Sequence, residues 1–170
     1  VQDEADDEFM LSADFMRGIA TLRDYGLTYD LLILTRHLAV ARALVGAYPN
    51  QQFVLDHLAK PLIKDGQIAP WAEEIRRLAD LPNVTCKVSG MITEADWDGW
   101  QPADLRPYMD TVFEAFGAQR VMFGSDWPVC TVAGSYAQVA GVVSEYVAAL
   151  SDDEQAAVWG STARAFYGLA

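Results

Sequence analysis

The sequence predicts an α/β fold whose strands run parallel and are covered by helices. Short, largely apolar runs at 29–34, 53–55, 84–89 and 120–123 alternate with amphipathic segments of helical period, the order expected of repeated β/α units. The first of these runs, YDLLIL, is a short continuous apolar stretch bounded by polar residues, the pattern of a strand buried on both faces. No G-x-G-x-x-G or G-x-x-x-x-G-K-[ST] loop follows any of them, which favours a section of a (β/α)8 barrel over an open doubly wound sheet. Four strands are half of such a barrel.

Ser12 is placed to cap a first helix with Phe15, Ile19 and Leu22 on one face. Gly26 is placed to stop it, because glycine accepts the left-handed conformation that ends helices. YDLLIL at 29–34 is the first strand, with His37 just beyond it. A helix over 38–48 ends at Tyr48-Pro49-Asn50, and the second strand, 53–55, runs into Asp56-His57. Pro70 suits a first helical turn, with Trp71, Ile75 and Leu78 sharing a face before Pro82-Asn83 turns the chain. The third strand, 84–89, breaks at Gly90. Met109, Val112, Phe113 and Phe116 define the next helix, closed by Gly117, and the fourth strand, 120–123, is followed by Gly124-Ser125-Asp126. Val139, Val142, Val143, Tyr146, Val147 and Leu150 form the most regular stripe, and Ser151 caps a terminal helical segment through Tyr167.

The 170 residues include 12 Lys+Arg and 24 Asp+Glu, a net charge of −12. With 52 % hydrophobic and 21 % charged residues, the chain can build a packed core and is not disordered. A pI near 4.3 and the lack of a Lys/Arg cluster disfavour nucleic acid and anionic membranes as partners, since both require a basic footprint. No apolar run approaches the roughly 18 residues that span a bilayer, and the acidic start is the opposite of a signal peptide. A cytoplasmic protein is expected. The chain starts at Val1, as a processed product or a piece of something longer would. Asp3, Glu4, Asp6, Asp7 and Glu8 read as a solvated loop, and Cys86 and Cys130 as two buried free thiols.

The two histidines, His37 and His57, and Asp126 all fall at or just past the C-terminal ends of predicted strands, where α/β proteins build their sites. Alternation puts Phe53, Leu55 and His57 on one side of the second strand, and Met122, Gly124 and Asp126 on one side of the fourth. If both sides face the barrel axis, the polar tips meet at its mouth. Taken singly, each histidine could be a satisfied structural side chain and Asp126 a turn cap; their conjunction favours a site. Arg36, Lys60 and Trp127 are candidate substrate contacts. Lys60 would meet a carboxylate or hydroxyl, and Trp127 or Trp97 would stack on a ring. The alternatives are a solvated lysine, an arginine paired with surface acids and packing tryptophans. Glu94 and Asp96, after the third strand, are further acid candidates.

The segments FVLDHLAKP (53–61), CKVSGMITEADW (86–97) and VMFGSDWPVC (121–130) resemble the amidohydrolase-2 branch of the amidohydrolase superfamily. Within it they are most similar to sugar-acid lactonases of the fuconolactonase and rhamnonolactonase type, related to pyrone-dicarboxylate lactonase. YDLLILTRHL and the terminal WGSTARAFYGL extend the resemblance over essentially the whole chain. It implies a metal-dependent-hydrolase (β/α)8 barrel in which these strands are the fifth to eighth, so that residues 1–170 are its C-terminal part. His37, His57 and Asp126 would then close strands five, six and eight and line the site. The family's His-x-His pair on strand one has no counterpart here, so the expected partner is the N-terminal half-barrel or a second copy meeting exposed sheet edges.

The chemistry so implied is hydrolysis of a sugar-acid lactone, with Asp126 as general base or metal ligand. His57 and His37 would complete a site for one zinc or manganese ion, or, in a metal-independent route, donate hydrogen bonds to the oxyanion. The alternatives are a decarboxylase or hydratase of the same superfamily acting on a small carboxylic acid, and a non-catalytic half-barrel that binds one.

Overall fold

The computed structural model describes residues 1–169. Strands β1 (Tyr29–Leu31), β2 (Phe53–Leu55), β3 (Val84–Val88) and β4 (Val121–Phe123) form one parallel sheet in chain order. Helices α1 (Ala13–Leu22), α2 (Leu38–Ala47), α3 (Trp71–Ala79), α4 (Pro102–Phe116) and α5 (Tyr136–Val147) alternate with them. Helix α6 (Asp152–Ala156), a π turn over Ala157–Ser161 and α7 (Thr162–Tyr167) follow without a break. The alternation is the one expected; the ends differ. β1 stops at Leu31 because the Leu32 N–H turns back to the Asp30 carbonyl. α4 starts well before its apolar stripe, with Pro102 in its first turn and the Asp104 carboxylate accepting from the Gln101 N–H at 2.8 Å.

Caps fix the other helix ends. Ser135 and Gln138 make a reciprocal capping box, as do Ser151 and Glu154, each satisfying N–H groups that have no partner inside the helix. Gly26, at φ +64°, closes the turn after α1.

The two faces of the sheet differ in chemistry. Leu55, Cys86 and Val121 are register neighbours, as are Lys87 and Met122, and register neighbours in a parallel sheet share a face. Leu31, Phe53, Leu55, Cys86 and Val121 are buried in one cluster with Leu44, Ile75 and Val112 from the helices. The opposite face carries Asp30, Lys87 and Met122. There the Lys87 ammonium lies 2.9 Å from Asp30 and 2.5 Å from Asp56, and the Tyr167 hydroxyl donates to Asp30 at 2.7 Å. Burial opposes the charge on Lys87, but its bonds to Asp56, Asp30 and Tyr167 outweigh that and raise its pKa.

Two expectations are corrected here. Phe53 and Leu55 face the helices, on the opposite side from Met122 and Gly124, so simple alternation along β2 does not bring His57 to the site. The N-terminal acids are not merely a solvated loop: the Asp7 carboxylate accepts from Arg36 Nε at 2.8 Å and faces His37 Nε2 at 3.0 Å, and Met10 is buried. The hydrogen bonds from Arg36 and His37 hold the Asp7 carboxyl below its ordinary range. Cys86 and Cys130 are free and buried, as expected, and burial pushes the Cys86 thiol up. Among the described residues no helix is long and apolar enough to cross a membrane.

Candidate active site

His57 is delivered by a turn of the wrong hand. His57, Leu58, Ala59 and Lys60 have φ values of 51°, 53°, 57° and 50°, a run of left-handed residues in which none is glycine. Such a conformation costs about 1–2 kcal/mol per residue, so the surroundings must impose it. Trp71 Nε1 donates to the Leu58 carbonyl at 2.6 Å, the Thr35 hydroxyl donates to the Ala59 carbonyl at 3.1 Å, and the Lys60 N–H closes the turn on the His57 carbonyl at 2.7 Å. Leu58 and Ala59 are fully buried. This turn moves His57 from the helix-facing side of Leu55 to the face of Lys87, where its Nδ1 meets Ser89 Oγ at 2.8 Å.

Gly90 makes room for it. Its φ is +65°, and a Cβ there would stand 2.9 Å from both Cβ and Nδ1 of His57. Asp126, at φ 56° just past β4, also has left-handed backbone. Its Oδ2 accepts from the Thr93 hydroxyl at 2.8 Å, which leaves Oδ1 facing His57 Nε2 at 3.8 Å, beyond a direct hydrogen bond. Burial lowers the His57 pKa, against the opposing pull of Asp126 and Asp56; the ring is neutral near pH 7.

His57, Gly90, Thr93 and Asp126 share a cavity of about 240 Å³ with Lys60 and Glu94, and Gln2, Leu32 and Val129 complete its wall. A larger cleft of about 510 Å³ beside Trp100 and Gln138 has Asp98 and Glu145 as its ionisable groups and contains none of His57, Lys60 and Asp126. Burial raises the Glu94 pKa, while Lys60, 3.7 Å away, pulls it down.

Of the residues singled out in the sequence, Asp126, His57 and Lys60 come together, with Glu94 beside them. His37 does not join them: the Leu34 N–H donates to its Nδ1 at 3.2 Å and its Nε2 is taken by Asp7. The expected trio of His37, His57 and Asp126 is therefore not assembled as a metal site, and among the described residues no group of three His, Cys, Asp or Glu is placed to hold a metal. Arg36 pairs with Asp7 and Asp96 with Lys64 at 3.1 Å. Trp127 is 66 % exposed and outside the cavity wall, while the Trp97 indole donates to the Thr93 carbonyl. Sequence reasoning missed Ser89, Thr93 and Gln2. Ser89 stands two positions past Lys87 and so on its face, a readable signal; Thr93 and Gln2 lie in loops, where no periodicity points to them.

A family profile described as amidohydrolase matches residues 1–169, and the chain belongs to the amidohydrolase family. Within it, the chain is similar to L-fucono-1,5-lactonases: 43 % identical to that of Burkholderia multivorans and 36 % to that of Burkholderia ambifaria, over 99 % of this chain and 61 % and 59 % of theirs. A crystal structure of a Burkholderia multivorans amidohydrolase with bound zinc superposes with a TM-score of 0.94 at 44 % identity, covering 99 % of this chain and 62 % of that one. A putative 2-pyrone-4,6-dicarboxylic acid hydrolase from Pseudomonas putida shares the fold, with a TM-score of 0.79 at 24 % identity over 99 % of this chain and 60 % of that one. The chain spans about three fifths of the length of the curated lactonases it matches.

Proposed function

We propose that residues 1–170 form the C-terminal part of a (β/α)8 barrel, with β1 to β4 as its fifth to eighth strands. The chain then supplies part of an active site that hydrolyses sugar-acid lactones. The observation that carries this reading is the meeting of His57 Nε2 and Asp126 Oδ1 at 3.8 Å inside a cavity, in a chain 43 % identical to a lactonase. Edge strands β1 and β4 would pair with the rest of the barrel.

Asp126 Oδ1 holds a water beside His57 and takes its proton as the water oxygen bonds to the lactone carbonyl carbon. Thr93 holds the other carboxylate oxygen, which fixes the direction in which Oδ1 points. With the Ser89 hydroxyl donating to Nδ1, His57 carries its proton on Nε2 and keeps it, donating a hydrogen bond to the carbonyl oxygen as negative charge develops there. Collapse of the tetrahedral intermediate breaks the ring C–O bond, and the departing alkoxide takes the proton from Asp126. The product is the open hydroxy acid.

Catalytic zinc sites use three protein ligands. His57 and Asp126 offer two donor atoms, so the described residues do not complete a metal site. The decarboxylase and binding-module alternatives have no contact of their own in their favour.

The test is lactone hydrolysis by the full-length protein, followed by acid release. Wild type should exceed the spontaneous rate on a hexono-1,5-lactone, and Asp126→Asn should lose about 10²–10⁴-fold in kcat while keeping its fold. Undiminished turnover by the variant would remove Asp126 from the mechanism.

A further inference from the structure

Three polar groups in the cavity are left unused by the hydrolytic step. Lys60 Nζ and Glu94 Oε1 stand 3.7 Å apart, too far for a full hydrogen bond, with side chains only 22 % and 25 % exposed. Gln2 lines the same cavity, and its buried Oε1 has no hydrogen-bond partner among the described residues. A buried acceptor of that kind is unfavourable until a donor reaches it. Thr93 cannot serve as that donor, since its hydroxyl is committed to Asp126.

We propose that Glu94, Lys60 and Gln2 form a hydroxyl-recognising wall that selects neutral, polyhydroxylated lactones over lactones bearing free carboxylates. This rests on the lactone-hydrolase reading above. A hydroxyl both donates and accepts, so one substrate hydroxyl can donate to Glu94 or to Gln2 Oε1 while accepting from Lys60. A carboxylate only accepts. It would gain Lys60, but it would face the carboxylates of Glu94 and Asp126 and leave Gln2 Oε1 without a donor. A site built around such groups penalises a ligand that leaves them unpaired. The wall also comes from three separate places: Lys60 ends the left-handed turn after β2, Glu94 lies in the loop after β3, and Gln2 reaches in from the N-terminal segment that Asp7 anchors at Arg36.

The full-length protein and its Gln2→Leu, Glu94→Ala and Glu94→Gln variants should be assayed on three substrates. These are a hexono-1,5-lactone, δ-valerolactone, which has the same ring without hydroxyls, and isocitric lactone, which carries carboxylates. Gln2→Leu and Glu94→Ala should each lose about tenfold more kcat/KM on the hexonolactone than on δ-valerolactone, mainly through KM. Glu94→Gln, which removes the charge at constant size, should raise the ratio of isocitric lactone to hexonolactone turnover. Equal losses on the hexonolactone and δ-valerolactone, or an unchanged isocitric lactone ratio, would overturn the wall. If wild type hydrolyses no lactone, the lactonase reading fails separately. Calorimetric titration with the hexonate anion and with a neutral hexitol then judges the wall: weaker hexitol binding by Gln2→Leu than by wild type supports it, and equal binding overturns it.

Discussion

Gly90 and His57 fit together so closely that one methyl group separates a working arrangement from a collision. A Cβ on Gly90 would sit 2.9 Å from two atoms of the imidazole, and the φ of +65° at that position is unfavourable for any L side chain. The glycine at the end of β3 is thus part of the geometry that aims the histidine of β2.

Gly90→Ala should therefore act on activity more than on folding. The left-handed φ costs about 1–2 kcal/mol, and the displaced imidazole should lower kcat/KM about a hundredfold, the usual effect of a misplacement near 1 Å. Thermal unfolding and lactone kinetics on the same preparation check both parts.

Trp71→Phe keeps the aromatic packing against Tyr108 but removes the donor to the Leu58 carbonyl. Leaving that buried acceptor without a partner should destabilise the protein by about 1–3 kcal/mol. The loosened turn should lower kcat as well. Urea denaturation gives the first number; an unchanged midpoint would mean that the turn is held without the indole.

The pH dependence follows from the lowered pKa of His57. A protonated imidazole would pair with Asp126 and quench it as a base. Activity should thus stay level near neutral pH and fall only below the ordinary histidine value of 6.5. Stability follows the same sign: the unfolded chain binds the proton first, so this contribution is present above pH 6.5 and lost as pH falls from there toward the folded value. An acid limb centred above 6.5 in the kcat/KM profile would contradict the burial of His57.

His37 should behave as a structural residue. His37→Gln disturbs the contacts with the Leu34 N–H and Asp7 and should lower stability by about 1–2 kcal/mol, while kcat/KM on the hexonolactone stays within about threefold of wild type. A hundredfold loss with an intact fold would return His37 to the site.

The order of strands and helices was legible because apolar period and helix caps are local: Ser12 and Ser151 each cap a helix through an N–H three residues on. Asp126 and Lys60 were legible as strand-end polar residues. The route of His57 was not. Alternation along β2 predicts its side from Leu55, whereas the left-handed turn is imposed by Trp71, Thr35 and the cover over Leu58, all distant in sequence. The same limit applies to His37, whose Nε2 is met by Asp7 from 30 residues back in the chain, and to Gln2, which enters the cavity from the N-terminal segment.

The turn at 57–60 also makes chirality a local property of the site. Where the backbone follows the mirror-image path, the natural L configuration is the strained one, and its enantiomer fits without that strain. D-alanine introduced at position 59 by chemical ligation would leave the sequence formally unchanged yet relax the segment that presents His57 and Lys60. The protein retains ordinary L side chains there and relies on buried neighbours to bend them, so the aim of its histidine depends on how well residues far along the chain are packed.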